Sequence, residues 1–355
     1  MRLFKFESRK ADGRAFIQYS KDSFPVDFGF LSEGLTRPAD WEPPALRYNA
    51  MRDEYVAIST SRNSRPFLPP KEYCPLCPAR DSAFPTEIPE TGRLYEWAVF
   101  ENMYPALAPR PDGIGKCEVV LYSPHHDSTL AMEPLEHILG LMHVWRDRSK
   151  SLGALPFIRQ VFIFENKGAE VGVTLHHPHG QIYAFREPPP FLAREHAAAR
   201  AHFQTNGRCL VCDLAQNELE TSSRVVLETP SLVAFVPYAA RYPYEVHVTT
   251  KAHRPLFEAL EDNELSELAL LLKRLLFKYD ALFGISLPYI MAHHQAESTE
   301  PGDRTYHWHL EFYPPHRTRD KLKFLAGVES GTGFFVNDTS PEGKAAELRA
   351  IAVPF

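Results

Sequence analysis

No run of about 18 apolar residues occurs in the 355-residue chain, so no transmembrane helix is expected. The amino-terminal stretch MRLFKFESRKADGRAF lacks the apolar core of a secretory signal, which predicts a cytoplasmic protein. Positive charge is not in excess: 39 Lys and Arg face 45 Asp and Glu, a net charge of −6. That argues against a broad basic face for nucleic acid and leaves only local anion pockets. Cysteine is scarce, with five in all: Cys74, Cys77, Cys117, Cys209 and Cys212. Four of them form two C-x-x-C pairs, CPLC and CLVC, which in a reducing compartment are more often metal ligands or redox dithiols than disulfides. Cys117, inside the strand-like GKCEVVLY, reads as a buried apolar thiol. What the chain does have is 44% apolar residues, enough for a sizeable core, and a length suited to two domains or one large one.

The chain repeats itself. Its first half runs CPLC, WAVFENMYPAL, CEVVLYSPHHDSTL, a helical stretch, FIRQVFIFENKG and HPHGQ. The second runs CLVC, LVAFVPYAARYP, YEVHVTTKAHRPL, a helical stretch, LPYIMAHHQAE and HWHLE. Cys209 lies 135 positions after Cys74, His253 lies 127 after His126, and His307 lies 130 after His177. A shared period of about 130 residues implies two copies of one unit. Each copy reads β-β-α-β-β. EVVLYS and EVHVTT alternate as strands do. PLEHILGLMHVWRDRSKSLG and LEDNELSELALLLKRLLFKYDALFG carry apolar residues at i, i+3, i+4 and i+7, and both end at Gly. At that spacing Met142, Trp145 and Phe277 belong to a core. The expected class is α+β, an antiparallel sheet with a long helix packed on it in each unit.

The repeat sorts the histidines. A structural zinc takes four soft or borderline ligands in a tetrahedron. Cys74, Cys77, His126 and His177 make one Cys2His2 set gathered from three loops. Cys209, Cys212, His253 and His307 make a second by the same mapping. His125 competes with His126, and only the repeat prefers the latter. In HPHGQ, His177 and His179 are two apart, and extended residues i and i+2 share a face. One histidine can therefore anchor a metal while His179 meets a substrate beside Gln181. Imidazole is a good nucleophile toward phosphorus and a good leaving group from it. An amide can donate to a non-bridging phosphoryl oxygen. No Asp or Glu in the motif offers a base for water, which favours group transfer over hydrolysis.

HPHGQIYAF with the upstream FENKGAEVGVTL resembles the galactose-1-phosphate uridylyltransferase family, a branch of the histidine-triad superfamily. RYNAMRDEYVAISTSRNSRPF is similar to that family's N-terminal block. HWHLEFYPPHRTRDKLKFLAGVESGTGFF is similar to its C-terminal block. The resemblance spans about residues 46 to 351. It implies an amino-terminal extension over 1–45 and histidine-triad-like units over 46–195 and 196–355. His179 matches the nucleophile that takes the uridylyl group, and Gln181 the glutamine on the phosphoryl oxygen. Cys74, Cys77, His126 and His177 match the family's zinc ligands. Asn166, Gly172 and Thr174 match positions around the nucleotide phosphates, and Arg62 and Arg65 the nearby arginines. Asn102 matches a residue near the ribose, although the acidic position after it is Met103 here. Lys323, Phe324 and Glu329 match positions that meet the hexose across a dimer interface. The implied substrates are UDP-glucose and galactose 1-phosphate. The implied assembly is a homodimer, with one zinc and room for a second.

There are departures. Some members carry a further metal on a histidine matching His294 and a C-terminal histidine pair. That pair maps near Asp303 and Thr305 here, so that site is not expected. The second C-x-x-C set is typical of other branches, including a plant-type relative acting on ADP-glucose. An ADP-sugar adenylyltransferase or phosphorylase is thus the first alternative, and a histidine-triad nucleotide hydrolase the next. A zinc-stabilised binding module is the reading from another class. It leaves HPHGQ unexplained, and the two C-x-x-C pairs, 132 residues apart between Cys77 and Cys209, are too distant for one zinc ribbon.

Overall fold

The computed structural model describes residues 1–24, 30–31, 34–79, 84–89, 95–108 and 115–354. It divides into two compact units. One contains Met1–Ile163 and Thr174–Pro190, the other Phe164–Val173 and Phe191–Phe355.

The first unit carries β1 (Phe4–Lys10), β2 (Ala15–Ser20), β3 (Phe30–Leu31) and a separate hairpin of β4 (Ala45–Asn49) and β5 (Glu54–Ile58). Then come β6 (Trp97–Glu101), β7 (Gly115–Leu121), α1 (Leu135–Gly153), β8 (Gln160–Lys167, of which the first half belongs here) and β9 (His179–Phe185). Its sheet order is β3-β1-β2-β6-β7-β9-β8. The β6-β7-α1-β8-β9 succession is the expected unit. Helix α1 buries Ile138, Leu141, Met142, Trp145 and Leu152, one stripe at helical spacing. Gly140 lets the helix approach the sheet, because a Cβ there would stand 2.2 Å from the Trp97 ring. The helix runs through Gly153 and ends at Ala154 in a right-handed conformation, so that glycine is not the stop the sequence suggested.

The second unit carries α2 (Pro190–Asn206), α3 (Leu210–Thr221), β10 (Val225–Glu228), β11 (Leu232–Phe235), β12 (Val246–Thr250) and α4 (Asp262–Phe283). It continues through β13 (Tyr289–His294), β14 (His309–Tyr313), a β15–β16 hairpin (His316–Thr318, Lys321–Leu322), α5 (Gly327–Thr332) and α6 (Pro341–Ala350). Its sheet order is β10-β11-β12-β14-β13, with Ala292–Tyr289 of β13 paired to Phe164–Lys167 of β8. Helix α4 opens on a capping interaction, Glu264 accepting the Glu261 N–H at 2.7 Å. It stops at Gly284 with φ +64°, a left-handed cap. Between them Leu265, Leu268, Leu272, Leu275 and Leu276 are buried, each contributing about 1.5–3 kcal/mol over exposure. Phe277 is half-buried, unlike Met142 and Trp145, which are fully enclosed. The two C-x-x-C pairs differ locally. Cys74 follows a short 3-10 turn, whereas Cys209 is the N-cap of α3 and Cys212 lies in that helix's first turn. Among the described residues no helix is long and apolar enough to cross a membrane.

Candidate active site and metal centres

In the first unit, β9 alternates between buried and partly exposed residues, so His179 and Gln181 present one face. β7 pairs with it antiparallel, Leu121 opposite His179 and Val119 opposite Gln181. These strand ends floor a pocket of about 280 Å³. His179, Gln181, Asn102, Arg65 and Thr174 line it with Leu76, Phe100, Met103, Tyr104 and Val119. Arg62, Asn166 and Gly172 are not among the lining residues. Arg62 donates to the Tyr104 carbonyl at 3.0 Å, next to the pocket wall. Asn166 sits on β8 opposite Ile290, and Gly172 adopts φ +81° in the following turn, both in the second unit.

The His179 ring is set by one bond: Nδ1–H donates to the His177 carbonyl at 2.7 Å. That fixes the tautomer and leaves the Nε2 lone pair for a substrate. Burial lowers its pKa from the ordinary value, which keeps the ring neutral. Asn102 Nδ2 donates to Gln181 Oε1 at 3.4 Å, so the glutamine NH2 end is the one left to donate. Arg65 supplies positive charge, its Nε anchored on the Arg62 carbonyl at 3.1 Å.

The four residues of the first Cys2His2 set converge beneath this floor. Cys74, Cys77, His126 and His177 have their ligand atoms within 4.8 Å of one another. Cys77 Sγ is 3.3 Å from His126 Nδ1 and 3.5 Å from His177 Nδ1. A sulfur and a nitrogen on one tetrahedral zinc stand about 3.5 Å apart, so the donors fit that metal. His177 Nε2 donates to the Ser123 carbonyl at 2.9 Å, which turns Nδ1 toward the sulfurs. A hydrogen bond from Cys77 and the nearby His177 take the Cys74 thiol down to about 3, the thiolate a metal needs. His126 belongs to this set, and His125 is exposed outside it. Cys117 is a buried thiol on β7, pushed up to about 12 by its enclosure.

The second set also converges. Cys212 Sγ is 3.4 Å from His253 Nδ1 and 3.2 Å from His307 Nδ1, with Cys209 completing the group. His253 Nε2 donates to the Asp303 carbonyl at 2.8 Å and His307 Nε2 to Thr250 Oγ1 at 2.8 Å. Both sets can therefore hold zinc, with the outer ring nitrogens of His177, His253 and His307 already satisfied.

The second unit contains residues that the sequence reading missed. His309 repeats the geometry of His179, its Nδ1 donating to the His307 carbonyl at 3.0 Å. Glu311, however, occupies the place of Gln181, and its Oε1 lies 3.3 Å from both His309 Nε2 and His247 Nε2. His309 Nε2 thus faces a carboxylate and donates to it instead of offering a lone pair to a substrate. Register brings the cluster together: His247 is opposite Glu311, and His294 opposite His309. His294 Nδ1 meets Glu195 at 2.7 Å, and Tyr306 also donates to Glu195. Burial alone would raise Glu311, but the facing His247 and His294 hold it well below the usual carboxylate range. Glu195, His294 and His309 form a donor set that could take a metal, lining a pocket of about 400 Å³ with Arg241, Glu245 and His247. The residues grouped with His294 are thus Glu195 and His309. Asp303 and Thr305 are tied to each other by a 2.8 Å hydrogen bond instead. The signal was present in HWHLE, whose H-x-H-x-E spacing parallels H-x-H-x-Q.

Lys323 is buried, donating to Glu329 at 3.2 Å and to the Val336 carbonyl. Glu329 also accepts the Ala326 N–H at 3.2 Å at the start of α5. Phe324 beside them is 69% exposed.

A neutral histidine held by its neighbour's carbonyl, above a Cys2His2 set and beside an amide, in a strand-helix-strand unit that occurs twice, equips the pocket for group transfer at phosphorus. Residues 37–189 match the family model described as galactose-1-phosphate uridyl transferase, N-terminal domain, and 195–353 the corresponding C-terminal domain. The chain belongs to the galactose-1-phosphate uridyl transferase family. It is 39% identical over 323 residues to the galactose-1-phosphate uridylyltransferase of Thermotoga maritima, covering 87% of this chain and 98% of that protein. A solved uridylyltransferase superposes with TM-score 0.76 at 33% identity, over 86% of this chain and 97% of its own. An ADP-glucose phosphorylase from Arabidopsis thaliana, solved with bound ADP-glucose, superposes with TM-score 0.67 at 25% identity, over 87% of this chain and 100% of its own.

Proposed function

We propose that the protein transfers UMP from UDP-glucose to galactose 1-phosphate by double displacement. His179 Nε2 attacks the α-phosphorus, the bond to the glucose 1-phosphate oxygen breaks, and a uridylyl-His179 intermediate forms. Galactose 1-phosphate then attacks that phosphorus, the P–N bond breaks, and UDP-galactose leaves. The displaced sugar phosphate is a weakly basic anion, so neither half needs a strong general acid. Gln181 donates to a non-bridging oxygen as charge shifts onto it, and Arg65 and Arg62 complement the phosphates. As the ring gains positive charge, the His177 carbonyl on Nδ1 stabilises it. The observation that carries this reading is that bond, which leaves Nε2 bare over the pocket.

Zinc on Cys74, Cys77, His126 and His177 would be structural: four protein ligands leave no open position, and the metal would hold His177 where its carbonyl orients His179. A second zinc on Cys209, Cys212, His253 and His307 would brace the other unit. We assign 46–195 and 196–355 as the two functional units, with 1–45 as an extension. Asn166, Gly172 and Thr174 are assigned to the phosphates, and Asn102 to the ribose. Lys323, Phe324 and Glu329 are assigned to the hexose, presented across the interface of a cytoplasmic homodimer. The exposed Phe324, Phe334 and Val336 support a face that a second copy covers.

Intact-protein mass after mixing with UDP-glucose tests the reading, with ADP-glucose in parallel and His179→Ala as control. One added uridylyl group, absent from the control, is the expected result. An adenylyl adduct instead moves the assignment to the ADP-sugar alternative. No adduct from folded, metal-loaded protein refutes the covalent mechanism.

A further inference from the structure

Residues 1–36 precede the region matched by the family models, yet part of this segment stands in the His179 pocket. Leu35, Thr36 and Pro38 line it together with Leu76, Phe100 and Val119. The segment is tightly held. Leu35 N–H donates to the Thr86 carbonyl at 2.9 Å, and its own carbonyl accepts from Arg14 Nη2 at 2.8 Å. Arg37 N–H donates to Asp12 at 2.9 Å, while its guanidinium donates to the Asn102 carbonyl at 3.2 Å and lies 4.3 Å over the Trp41 ring. Behind this wall Arg14 and Lys10, both nearly inaccessible, close on Glu87, and Arg14 also takes Asp12 at 2.7 Å. Buried charges with these partners resist displacement, because moving one strands the others. The wall is therefore fixed relative to His179 and Gln181.

Its chemistry is divided. Leu35 and Pro38 extend the apolar surface of Leu76, Phe100 and Val119, a slot suited to a planar base. Asn102 is tied at both ends, to Gln181 at 3.4 Å and to the Tyr104 N–H at 2.8 Å, which leaves one amide N–H over for a ribose. Met103, next along, is buried and apolar. Thr36 brings a hydroxyl to this wall that has no protein partner among the described residues. A nucleoside entering such a slot loses water from its polar edge, and an unanswered polar group there costs affinity.

We propose that the amino-terminal segment is a working part of the pocket: Leu35 and Pro38 bound the nucleoside slot, and Thr36 Oγ1 hydrogen-bonds the nucleoside, making Thr36 a specificity-determining residue for the nucleotide donor. This rests on the nucleotidyl-transfer reading of the site. The two half-reactions separate its effects. The donor must bind its nucleoside before His179 reacts, whereas the acceptor meets a nucleotide already held covalently.

The test uses the full chain with Thr36→Val, Thr36→Ser and Leu35→Ala, and reads steady-state kinetics, UDP binding by calorimetry and the melting temperature. For Thr36→Val, kcat/KM for UDP-glucose and UDP affinity both fall roughly 3- to 10-fold, the range of one neutral hydrogen bond. The same quotient for galactose 1-phosphate stays within about 2-fold, and Thr36→Ser retains wild-type values. Leu35→Ala widens the slot and shifts the UDP-glucose to ADP-glucose preference toward the larger base by about 10-fold. Unchanged donor kinetics, UDP affinity and base preference in all three variants overturn the proposal. Equal losses in both half-reactions with a lowered melting temperature also overturn it, since that is a purely structural role. Absence of any adduct in the wild type refutes the transfer chemistry instead; calorimetry with UDP still decides whether the wall contacts the nucleoside.

Discussion

Replacing Gln181 by Glu is the sharpest probe of how the pocket works. Its amide has one end occupied by Asn102, leaving the NH2 group to meet the phosphoryl oxygens. Gln181→Ala removes that donor and should cost about 10²-fold in kcat, the lower end of the range for an oxyanion-type donor. Gln181→Glu keeps the shape and adds a negative charge. At about 4 Å from a phosphoryl oxygen, with an effective dielectric near 20, repulsion costs about 4 kcal/mol, roughly three further decades. The expected order is therefore wild type, then alanine, then glutamate slowest of all. Rapid-quench mass measurement of uridylyl-His179 in a single turnover reads the step directly. A glutamate variant as fast as the alanine variant would refute the reasoning, because the phosphate would then not lie against residue 181. The second unit already contains this substitution in natural form. Glu311 stands where Gln181 would be and engages His309 and His247, so that half is built for positive charge and not for a phosphate.

Other outcomes follow from the same structure. Burial lowers the His179 pKa from its usual 6.5, so the neutral nucleophile persists as pH falls and protonates only through that lowered value. The acid limb of kcat/KM for UDP-glucose should accordingly lie below pH 6.5, and a limb above it would contradict a neutral, desolvated ring. Chelation of metal from the first Cys2His2 set, or Cys77→Ser, should lower the melting temperature by about 5–10 °C and abolish adduct formation with it. Full stability and activity in verified metal-free protein would exclude a structural role. Glu87→Ala leaves Lys10 buried without its carboxylate and Arg14 with Asp12 alone, and should cost about 3–5 kcal/mol in a urea titration. A loss under 1 kcal/mol would mean that the network is well solvated.

Periodicity and spacing made much of this protein legible. The helices α1 and α4 follow from apolar stripes, and His179 and Gln181 share a face because strands alternate with period two. The Cys2His2 sets follow from the recurrence of one pattern about 130 residues on. These are local or repeating properties, so the linear order of residues carries them. The cluster around Glu311 is different. His247 reaches it through the β12–β14 register and His294 meets His309 through β13–β14, and a shift of one residue in either pairing would turn the side chains to opposite faces. The pocket wall of Leu35, Thr36 and Pro38 depends likewise on Glu87 closing over Lys10, 77 positions earlier, and on Arg14 reaching the Leu35 carbonyl. Charge pairs and strand registers over such separations leave no periodic trace in the chain. The sequence by itself determined the repeat, the two Cys2His2 sets and the shared face of His179 and Gln181; the tertiary structure alone decided which side chains surround them, because that rests on pairings between distant segments.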